Sequence, residues 1–274
     1  AATLKSNMII VINDNGMAIA KNVGGIAKLF SNTNWQQKCL QFFGALGFNY
    51  FSEPEGHNIG RLIGSLKKIK DGPRPAILHV KTEKGHRLKG AQKHPYKMHF
   101  SAPFDPWTLK VGKTPKVTYG KIAGDALYEV MREDTSIVTI FPATPYASYV
   151  ERCLAEFPDR TIDVGMAEQH ALCFGTGLAL NGIKPVICYQ ATFMQRAMDQ
   201  IIHDACFMDL PVTLMVVRSG FAGYDGPTHH GIFDLPYLRS FPNLKIFYPK
   251  DRFELRRIIR ERLLGKPKHP MAIP

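Results

Sequence analysis

The segment Val212-Thr-Leu-Met-Val-Val217 is apolar throughout except for one threonine. A strand with one solvated face alternates apolar and polar residues, whereas a strand covered by helices on both faces is apolar along its length. The segment therefore predicts an inner strand of a parallel sheet. Predicted helices and strands alternate on either side of it, which indicates an α/β fold made of parallel-sheet domains with helices on both faces.

The predicted elements fall into two groups separated by residues 101–117, which contain three prolines and little periodicity, as in an exposed linker. We therefore predict one domain over residues 1–100 and a second over residues 118–274. The first group consists of strands at 8–12, 48–51 and 76–80 and helices at 37–46 and 57–70. The second consists of strands at 136–141, 161–164, 185–190, 211–217 and 244–248 and helices at 119–132, 146–156, 168–181, 193–208 and 251–264.

The net charge of +12 is concentrated in one region. Residues 61–121 contain 15 Lys and Arg against 3 Asp and Glu, and the rest of the chain is balanced at 20 against 20. Such an excess suits a nucleic-acid surface, a solvated lysine-rich face or the attraction of phosphorylated small substrates. Aromatic residues are sparse among these cations and no nucleic-acid motif is visible, so we predict no nucleic-acid partner. No run approaches the roughly 20 apolar residues of a membrane helix, so we predict no membrane partner.

The five cysteines, at positions 39, 153, 173, 188 and 206, form no Cys-x-x-Cys pair. Their number is odd, and three of them lie in apolar segments. This usage argues against a disulfide framework or a zinc site and is typical of a protein from a reducing compartment.

The segment Asp163-Val-Gly-Met-Ala-Glu168-Gln-His170 runs from a short predicted strand into an apolar, glycine-containing helix. The carboxylate of Glu168 is therefore expected at the mouth of that helix and partly shielded from water. A desolvated carboxylate is suited to proton exchange with a ligand.

The segment Asn13-Asp-Asn15-Gly-Met17 directly follows the first predicted strand. Ligands of open parallel sheets bind beyond the carboxyl ends of the strands, and amide and carbonyl oxygens there suit a hard divalent cation that holds a diphosphate. The same residues also suit an ordinary Asn/Asp/Gly turn.

Two further segments follow predicted strands at the same kind of position. Thr192-Phe193-Met-Gln-Arg196 offers a ring for stacking and a cation, or else ordinary helix packing. The Gly-rich loop from Arg218 to Gly231 brings Asp225 and His229 close in sequence, which suits proton transfer or hydrogen bonding to a substrate. No Gly-x-Ser-x-Gly or phosphate-loop motif is present, so any chemistry would have to come from a cofactor.

These residues resemble the 1-deoxy-D-xylulose-5-phosphate synthase family of the transketolase superfamily, whose members use thiamine diphosphate and Mg²⁺. The resemblance covers nearly the whole chain. It rests on Leu4 to Ile9 with Asn13-Asp-Asn15, Asn22-Val-Gly-Gly25, Leu46 to Tyr50, Glu55-Gly-His57, Phe157 to Arg160, Asp163 to His170, Thr192 to Arg196, Asp199 to Asp204 and Asp225 to Gly231.

The resemblance implies a role for each candidate residue. Glu168 matches the family glutamate that hydrogen-bonds the aminopyrimidine ring of the cofactor and helps to activate it. Candidate catalytic residues are then Glu168, His229 and His99. The implied cofactor ligands are Phe193, Asn15, Met17 and Lys93, of which Asn15 and the carbonyl of Met17 match magnesium ligands. Arg196, Arg218 and Asp225 match positions that bind substrate.

The resemblance also implies a reaction, in which pyruvate and D-glyceraldehyde 3-phosphate condense to 1-deoxy-D-xylulose 5-phosphate with loss of CO₂. The product is a precursor of isoprenoids, thiamine and pyridoxal. A homodimer is implied, with the first domain binding the diphosphate and the second the aminopyrimidine. The compartment would be a bacterial cytoplasm or a plastid stroma.

Several departures from the family leave two explanations open. The family's Gly-Asp-Gly motif, with a magnesium-ligating Asp, and its third domain do not occur in residues 1–274. Gly16 and Lys21 stand where the family normally has acidic residues. Gln190 replaces a common Tyr, and Val217 replaces a common Asp. The chain is then either a piece of an active synthase or a diverged homologue. Such a homologue would be a non-catalytic binding or regulatory protein, or a transketolase-like enzyme with another acceptor.

Overall fold

The computed structural model describes residues 1–4, 6–94, 99, 104–105, 107–108, 110, 117–222 and 225–274. The chain divides into two compact units: residues 1–101 with 105–109, and residues 102–104 with 110–274. Most of the predicted linker, residues 101–117, lies outside the described residues. Both units contain parallel sheets with helices, which confirms the predicted α/β class.

The first unit is built on a parallel sheet of three strands in the order β1-β3-β2. The strands are β1 (Ile9–Asp14), β2 (Asn49–Glu53) and β3 (Ala76–Lys81). The helices are α1 (Gly24–Phe30), α2 (Trp35–Ala45), α3 (Ile59–Lys70) and α4 (Lys89–Lys93). The inner strand β3 is buried from Ala76 to Val80, as expected for a strand with neighbours on both sides.

The second unit is built on a parallel sheet of six strands in the order β5-β4-β6-β7-β9-β8. The strands are β4 (Ile137–Phe141), β5 (Thr161–Asp163), β6 (Lys184–Gln190), β7 (Thr213–Val217), β8 (Lys245–Ile246) and β9 (Met271–Ile273). The helices are α5 (Tyr119–Glu133), α6 (Glu151–Glu156), α7 (Glu168–Leu180), α8 (Ala191–Met194), α9 (Met198–Gln200), α10 (Asp234–Leu238) and α11 (Arg252–Leu264).

Strand β6 shows why the inner strands of this unit are apolar throughout. Ile187 and Tyr189 belong to a hydrophobic cluster with α7, whereas Val186 and Cys188 belong to a second cluster with α5 and α11. Successive side chains of a strand point to opposite faces, so a strand between two layers of helices needs apolar residues at every position. The apolar stretch 212–217 is explained in the same way, and it forms the inner strand β7.

Side-chain caps fix the starts of three of the longer helices. Thr118 accepts a hydrogen bond from the backbone of Lys121 at the start of α5, and Asn58 accepts one from Arg61 at the start of α3. Asp251 caps α11 through the N–H groups of Phe253 and Glu254. Each cap satisfies a backbone donor that has no partner inside its helix. These helices lie close to the predicted ranges.

Two predicted helices were wrong in extent. The helix predicted at 146–156 begins only at Glu151, because Tyr149 adopts a positive φ angle of 58° that does not fit a right-handed helix. The helix predicted at 193–208 is instead a series of short pieces that includes 3₁₀ turns at Gln195–Ala197 and a π-helix at Ile201–Cys206.

Four elements were not predicted: α1, α4, α10 and β9. Each has seven residues or fewer, which is too short for a clear period in the sequence.

All five cysteines are free. Among the described residues, no helix combines the length and apolar character needed to cross a bilayer.

Candidate active site

The candidate residues of the second unit lie where its strands end. Glu168 begins α7 shortly after β5, Phe193 and Arg196 follow β6, and Arg218 follows β7. All strands of the sheet are parallel, and β4 is the only strand between β5 and β6. The carboxyl edge of one sheet therefore carries all of these side chains, at the position where α/β proteins bind ligands.

The carboxylate of Glu168 is buried, as the sequence predicted, with 2% of the residue exposed. Its Oε2 accepts a hydrogen bond from Nη1 of Arg196 at 2.8 Å. The hydroxyl of Tyr189 donates to the backbone carbonyl of Glu168 at 2.6 Å and fixes the start of the helix. The N-terminal end of the 13-residue α7 favours a negative charge at this position. No described residue donates to Oε1, so one carboxylate oxygen remains for a ligand.

The rings of Phe193 and His229 contact each other. Their ring centroids are 5.7 Å apart and their planes are inclined at 71°, an edge-to-face contact. Oγ1 of Thr192 donates to the carbonyl of Thr228 at 3.2 Å and links the same two segments. The ring of Phe193 is only half-buried, so part of it is free to contact a flat ligand.

The loop after β7 is closed by contacts between its own ends. Gly220 and Gly231 exchange backbone hydrogen bonds of 2.9 and 2.7 Å. A Cβ at position 231 would lie 2.5 Å from the carbonyl oxygen of Arg218 and 2.5 Å from Cβ of Ala191, so only glycine allows this approach. Within the loop, Nη1 of Arg218 donates to Oδ2 of Asp225.

The first unit contains the other sequence candidates. Oδ1 of Asn15 accepts a hydrogen bond from the backbone N–H of Met17 at 3.0 Å, which is the Asn turn that the sequence allowed. Nδ1 of His99 lies 2.9 Å from Nζ of Lys84, and burial together with that charge lowers the pKa of His99. Lys93 is exposed at the end of α4.

The donor chemistry around Asn15 fits only part of a magnesium site. Its amide oxygen and the carbonyl of Met17 are suitable hard ligands, but Mg²⁺ takes about six oxygens and is usually bound through a carboxylate. The neighbouring carboxylate of Asp14 is already engaged by Lys81 and His79. No group of three or more His, Cys, Asp or Glu side chains able to hold a metal occurs among the described residues.

Sequence reasoning missed the polar network around Asp14. Nε2 of His79 lies 2.9 Å from Oδ2 of Asp14, and Nδ1 of His79 lies 2.9 Å from the hydroxyl of Tyr50. Lys81 contacts the same carboxylate and donates to the carbonyl of Phe30 at 2.7 Å. Burial by itself would raise the pKa of Asp14, but the hydrogen bonds from Lys81 and His79 outweigh it and lower that pKa. The signal in the sequence was a lone histidine inside the apolar strand β3.

The second unit also defines the class of protein. The sequence model described as transketolase, pyrimidine binding domain, matches residues 115–273. The chain therefore belongs to the transketolase family. A second model, described as 1-deoxy-D-xylulose-5-phosphate synthase, matches residues 1–42 and 36–82. The resemblance inferred from the sequence motifs is thereby confirmed.

Curated relatives carry the name of that synthase. The 1-deoxy-D-xylulose-5-phosphate synthase of Aquifex aeolicus is 39% identical, over 94% of this chain and 47% of the relative. That of Natranaerobius thermophilus is 36% identical, over 96% of this chain and 48% of the relative. The chain thus spans about half the length of the curated relatives it matches.

Solved transketolases share the fold. A split-gene transketolase, described as an inactive beta4 tetramer, is 26% identical with a TM-score of 0.51 over 58% of this chain and 51% of its own. The transketolase of Campylobacter jejuni has the same TM-score, 0.51, at 18% identity, over 97% of this chain and 51% of its own. At that identity the likeness concerns the fold alone.

Proposed function

We propose that the protein catalyses the thiamine-diphosphate-dependent condensation of pyruvate with D-glyceraldehyde 3-phosphate. The products are 1-deoxy-D-xylulose 5-phosphate and CO₂. The names of the curated relatives support this reaction, and the observation that carries it is the buried carboxylate of Glu168. A buried carboxylate, with one oxygen that no described residue contacts through a hydrogen bond, suits a hydrogen bond to a ring nitrogen of a bound cofactor.

Thiamine diphosphate, when bound, supplies the electron sink that decarboxylation of a 2-oxo acid requires. On this proposal Glu168 holds a proton at the aminopyrimidine end, and the hydrogen bond from Arg196 at 2.8 Å positions its carboxylate. The half-buried ring of Phe193 contacts the flat face of the pyrimidine. Asn15 and the carbonyl of Met17 supply two oxygens toward Mg²⁺, and Lys93 offers a cation for the diphosphate.

The substrate side of the proposal uses the cations and histidines at the strand ends. Arg218 is positioned by Asp225 and is the candidate for the phosphate of glyceraldehyde 3-phosphate. His229 lies against Phe193 and is suited to proton exchange with substrate oxygen. His99, with a lowered pKa, is the candidate for a neutral imidazole beside pyruvate.

The proposal extends to organisation and location. We propose that residues 1–100 belong to a diphosphate-binding domain, residues 101–117 to a linker and residues 118–274 to an aminopyrimidine-binding domain. A homodimer and a location in a bacterial cytoplasm or a plastid stroma complete the proposal. Analytical ultracentrifugation tests the proposed homodimer, for which we expect a mass near twice that of the chain.

The central experiment measures turnover by the complete protein. It is incubated with thiamine diphosphate, Mg²⁺, pyruvate and glyceraldehyde 3-phosphate, and both CO₂ and the sugar phosphate are quantified. Formation of both products in equal amounts is expected. A folded, cofactor-saturated protein without turnover indicates the non-catalytic homologue, and turnover only with another acceptor indicates a transketolase-like enzyme.

A pair of variants tests the role of Glu168. Glu168→Gln keeps the shape of the side chain but removes its proton-accepting carboxylate, so we expect turnover to fall on the order of 100-fold or more. Glu133→Gln is the matched control, because Glu133 also pairs with an arginine, Arg260, but is exposed and precedes the first residue of β4, whereas the candidate site lies at the carboxyl ends of the strands. Equal turnover by the two variants contradicts the assigned role of Glu168.

A further inference from the structure

A cavity lies at the opposite edge of the six-stranded sheet from Glu168. Its volume is about 360 Å³, and it opens beside the first residues of β8 and β9 and the end of α11. Its lining includes the four cations Lys245, Arg262, Lys266 and Lys268. A cavity at the amino ends of the strands is separate from the candidate active site at their carboxyl ends.

Arg262 lines this cavity and has an unusual environment for a cation. The residue is only 8% exposed. Nε donates to Oγ1 of Thr213 at 2.9 Å, and Nη2 donates to the carbonyls of Val212 at 2.9 Å and His269 at 2.8 Å. All three acceptors are neutral. No described carboxylate forms an ion pair with the guanidinium, and no described residue accepts a hydrogen bond from Nη1.

A buried cation normally has a partner of opposite charge, because neutral acceptors satisfy its donors but leave its charge uncompensated. Burial lowers the pKa of Arg262 to about 10, so the guanidinium remains protonated at neutral pH. The structure therefore maintains a positive charge in a poorly solvated position beside an open cavity. An anion in that cavity would supply the missing countercharge.

The end of helix α11 does not explain this concentration of cations. A helix C-terminus attracts positive charge through its free carbonyls. Nζ of Lys184 already fills that role, since it donates to the carbonyl of Leu263 at 2.8 Å and to that of Gly265 at 2.9 Å. The four cations of the cavity are additional to this cap.

The acidic groups near the cavity are already engaged, and a hydrogen bond from His269 together with a smaller effect of the charge of Lys245, two residues of the cavity lining, lowers the pKa of Asp209. Glu261 lines the cavity, but both of its carboxylate oxygens accept from Nη1 of Arg257 at 3.1 Å. Asp209 lies 2.8 Å from Nδ1 of His269 and accepts from Asn243 at 2.9 Å. Four cations therefore face the cavity against one carboxylate that is already paired.

We propose that this cavity binds a phosphate dianion, with Nη1 of Arg262 and the ammonium groups of Lys245, Lys266 and Lys268 as its ligands. Arginine donates in the planar geometry that phosphate oxygens accept, and lysines supply charge around it. A volume of about 360 Å³ is at the small end of ligand sites and suits inorganic phosphate or a small phosphate monoester. The site is independent of the proposed reaction.

The test measures binding of inorganic phosphate to the complete protein by equilibrium dialysis, with chloride holding the ionic strength constant. Lys245→Ala/Lys266→Ala/Lys268→Ala removes three exposed cations of the cavity and leaves the cross-links of Arg262 in place. We expect this variant to lose one bound phosphate per chain, or to bind it at least 10-fold more weakly. Competition by glycerol 3-phosphate distinguishes a phosphate monoester from inorganic phosphate as the ligand. If the ester binds more tightly, the site is assigned to a phosphate monoester. If the ester binds no more tightly than inorganic phosphate, the site is assigned to inorganic phosphate.

Lys67→Ala/Lys68→Ala/Lys70→Ala is the matched control, because it removes three exposed lysines from α3 in the other unit. We expect it to bind phosphate within twofold of the unaltered protein. Arg218→Ala separates the cavity from the candidate active site and is expected to retain the cavity's phosphate. Equal binding by the two triple variants, or phosphate binding no stronger than that of chloride, overturns the proposal.

Discussion

Oε2 of Glu168 and Nη1 of Arg196 lie 2.8 Å apart, yet the two side chains differ sharply in exposure, at 3% for the acid and 49% for the arginine. The acid is fixed inside the protein at the start of α7, whereas the arginine reaches it from the surface. A ligand can therefore displace the arginine without unpacking the core. The pair positions the acid and leaves it accessible to a ligand.

Loss of the arginine should leave the buried acid without its charged donor. We expect Arg196→Met to lower the free energy of unfolding by about 1–2 kcal/mol, a modest value because the arginine is half-exposed. In the double variant with Glu168→Gln the loss should be smaller than the sum of the single losses, by about 1 kcal/mol. Urea unfolding of all four proteins measures this coupling, and additive losses would show that the two side chains do not interact in solution.

Gly231 is predicted to be essential for the loop after β7. In Gly231→Ala the new Cβ would lie 2.5 Å from both Cβ of Ala191 and the carbonyl of Arg218, so the loop must move. We expect a loss of about 1–3 kcal/mol in unfolding free energy and a larger relative loss of turnover. Gly177→Ala in α7 is the control, because its Cβ would meet nothing within 4 Å, and it should preserve or slightly raise stability. Equal effects of the two changes would contradict the close approach.

His79 should make the first unit less stable as the solution becomes acidic. Burial lowers the pKa of His79 below its ordinary value of 6.5, with a smaller contribution from Lys81, and the hydrogen bond to Asp14 opposes the change. The unfolded chain then binds more protons than the folded one below pH 6.5, so stability falls as the pH drops through and below that value.

Thermal unfolding between pH 7 and about pH 5 measures this dependence. His79→Gln should flatten it, even if the variant is less stable at every pH. Change of the exposed His94 to Gln is the control and should leave the slope intact. An unchanged slope in His79→Gln would assign the acid sensitivity to other groups.

The carboxylate of Asp134 should stabilise the second unit near neutral pH, and this stabilisation should be lost in strong acid. Hydrogen bonds from the hydroxyl of Ser136 and from Lys184 outweigh the effect of burial and lower the pKa of Asp134 from 3.8 to about 2. A folded-state pKa below the unfolded value stabilises at higher pH, so a contribution of about 2 kcal/mol is complete above about pH 5 and is lost progressively as the pH falls toward 2.

Urea unfolding of Asp134→Asn at pH 6 and at about pH 2.5 tests this contribution. The variant should be less stable than the unaltered protein at pH 6, and the difference should shrink at the lower pH. Asp159→Asn, at an exposed position, should show no such dependence. A difference that persists unchanged in acid would contradict the assignment.

Much of the fold could be predicted, because the signals are local. The apolar stretch 212–217 indicated a strand with helices on both faces, and β7 has that environment. The cap residues Thr118 and Asp251 lie directly before the helices they start. The prediction failed at 146–156, because the positive φ angle of Tyr149 leaves no mark on the apolar periodicity.

The candidate site could be predicted only as separate segments. Arg218 and Asp225 are seven residues apart, and their proximity was visible in the sequence. Glu168 and Arg196 are 28 residues apart, and Asp14 and His79 are 65 apart. Their partnership depends on the order of the strands, which no local pattern specifies.

The sequence by itself determined the α/β class, the position of Glu168 at a strand–helix junction and the motifs of the family. Residue type and spacing carry this information, because helix and strand periods and turn residues act over a few neighbouring positions. Only the tertiary structure decided which charges meet. It pairs Glu168 with Arg196 and Asp14 with His79, and among the described residues it gives the buried Arg262 no acidic partner. The energy of a charge depends on what lies around it in space, and the chain sets that only when distant strands come together.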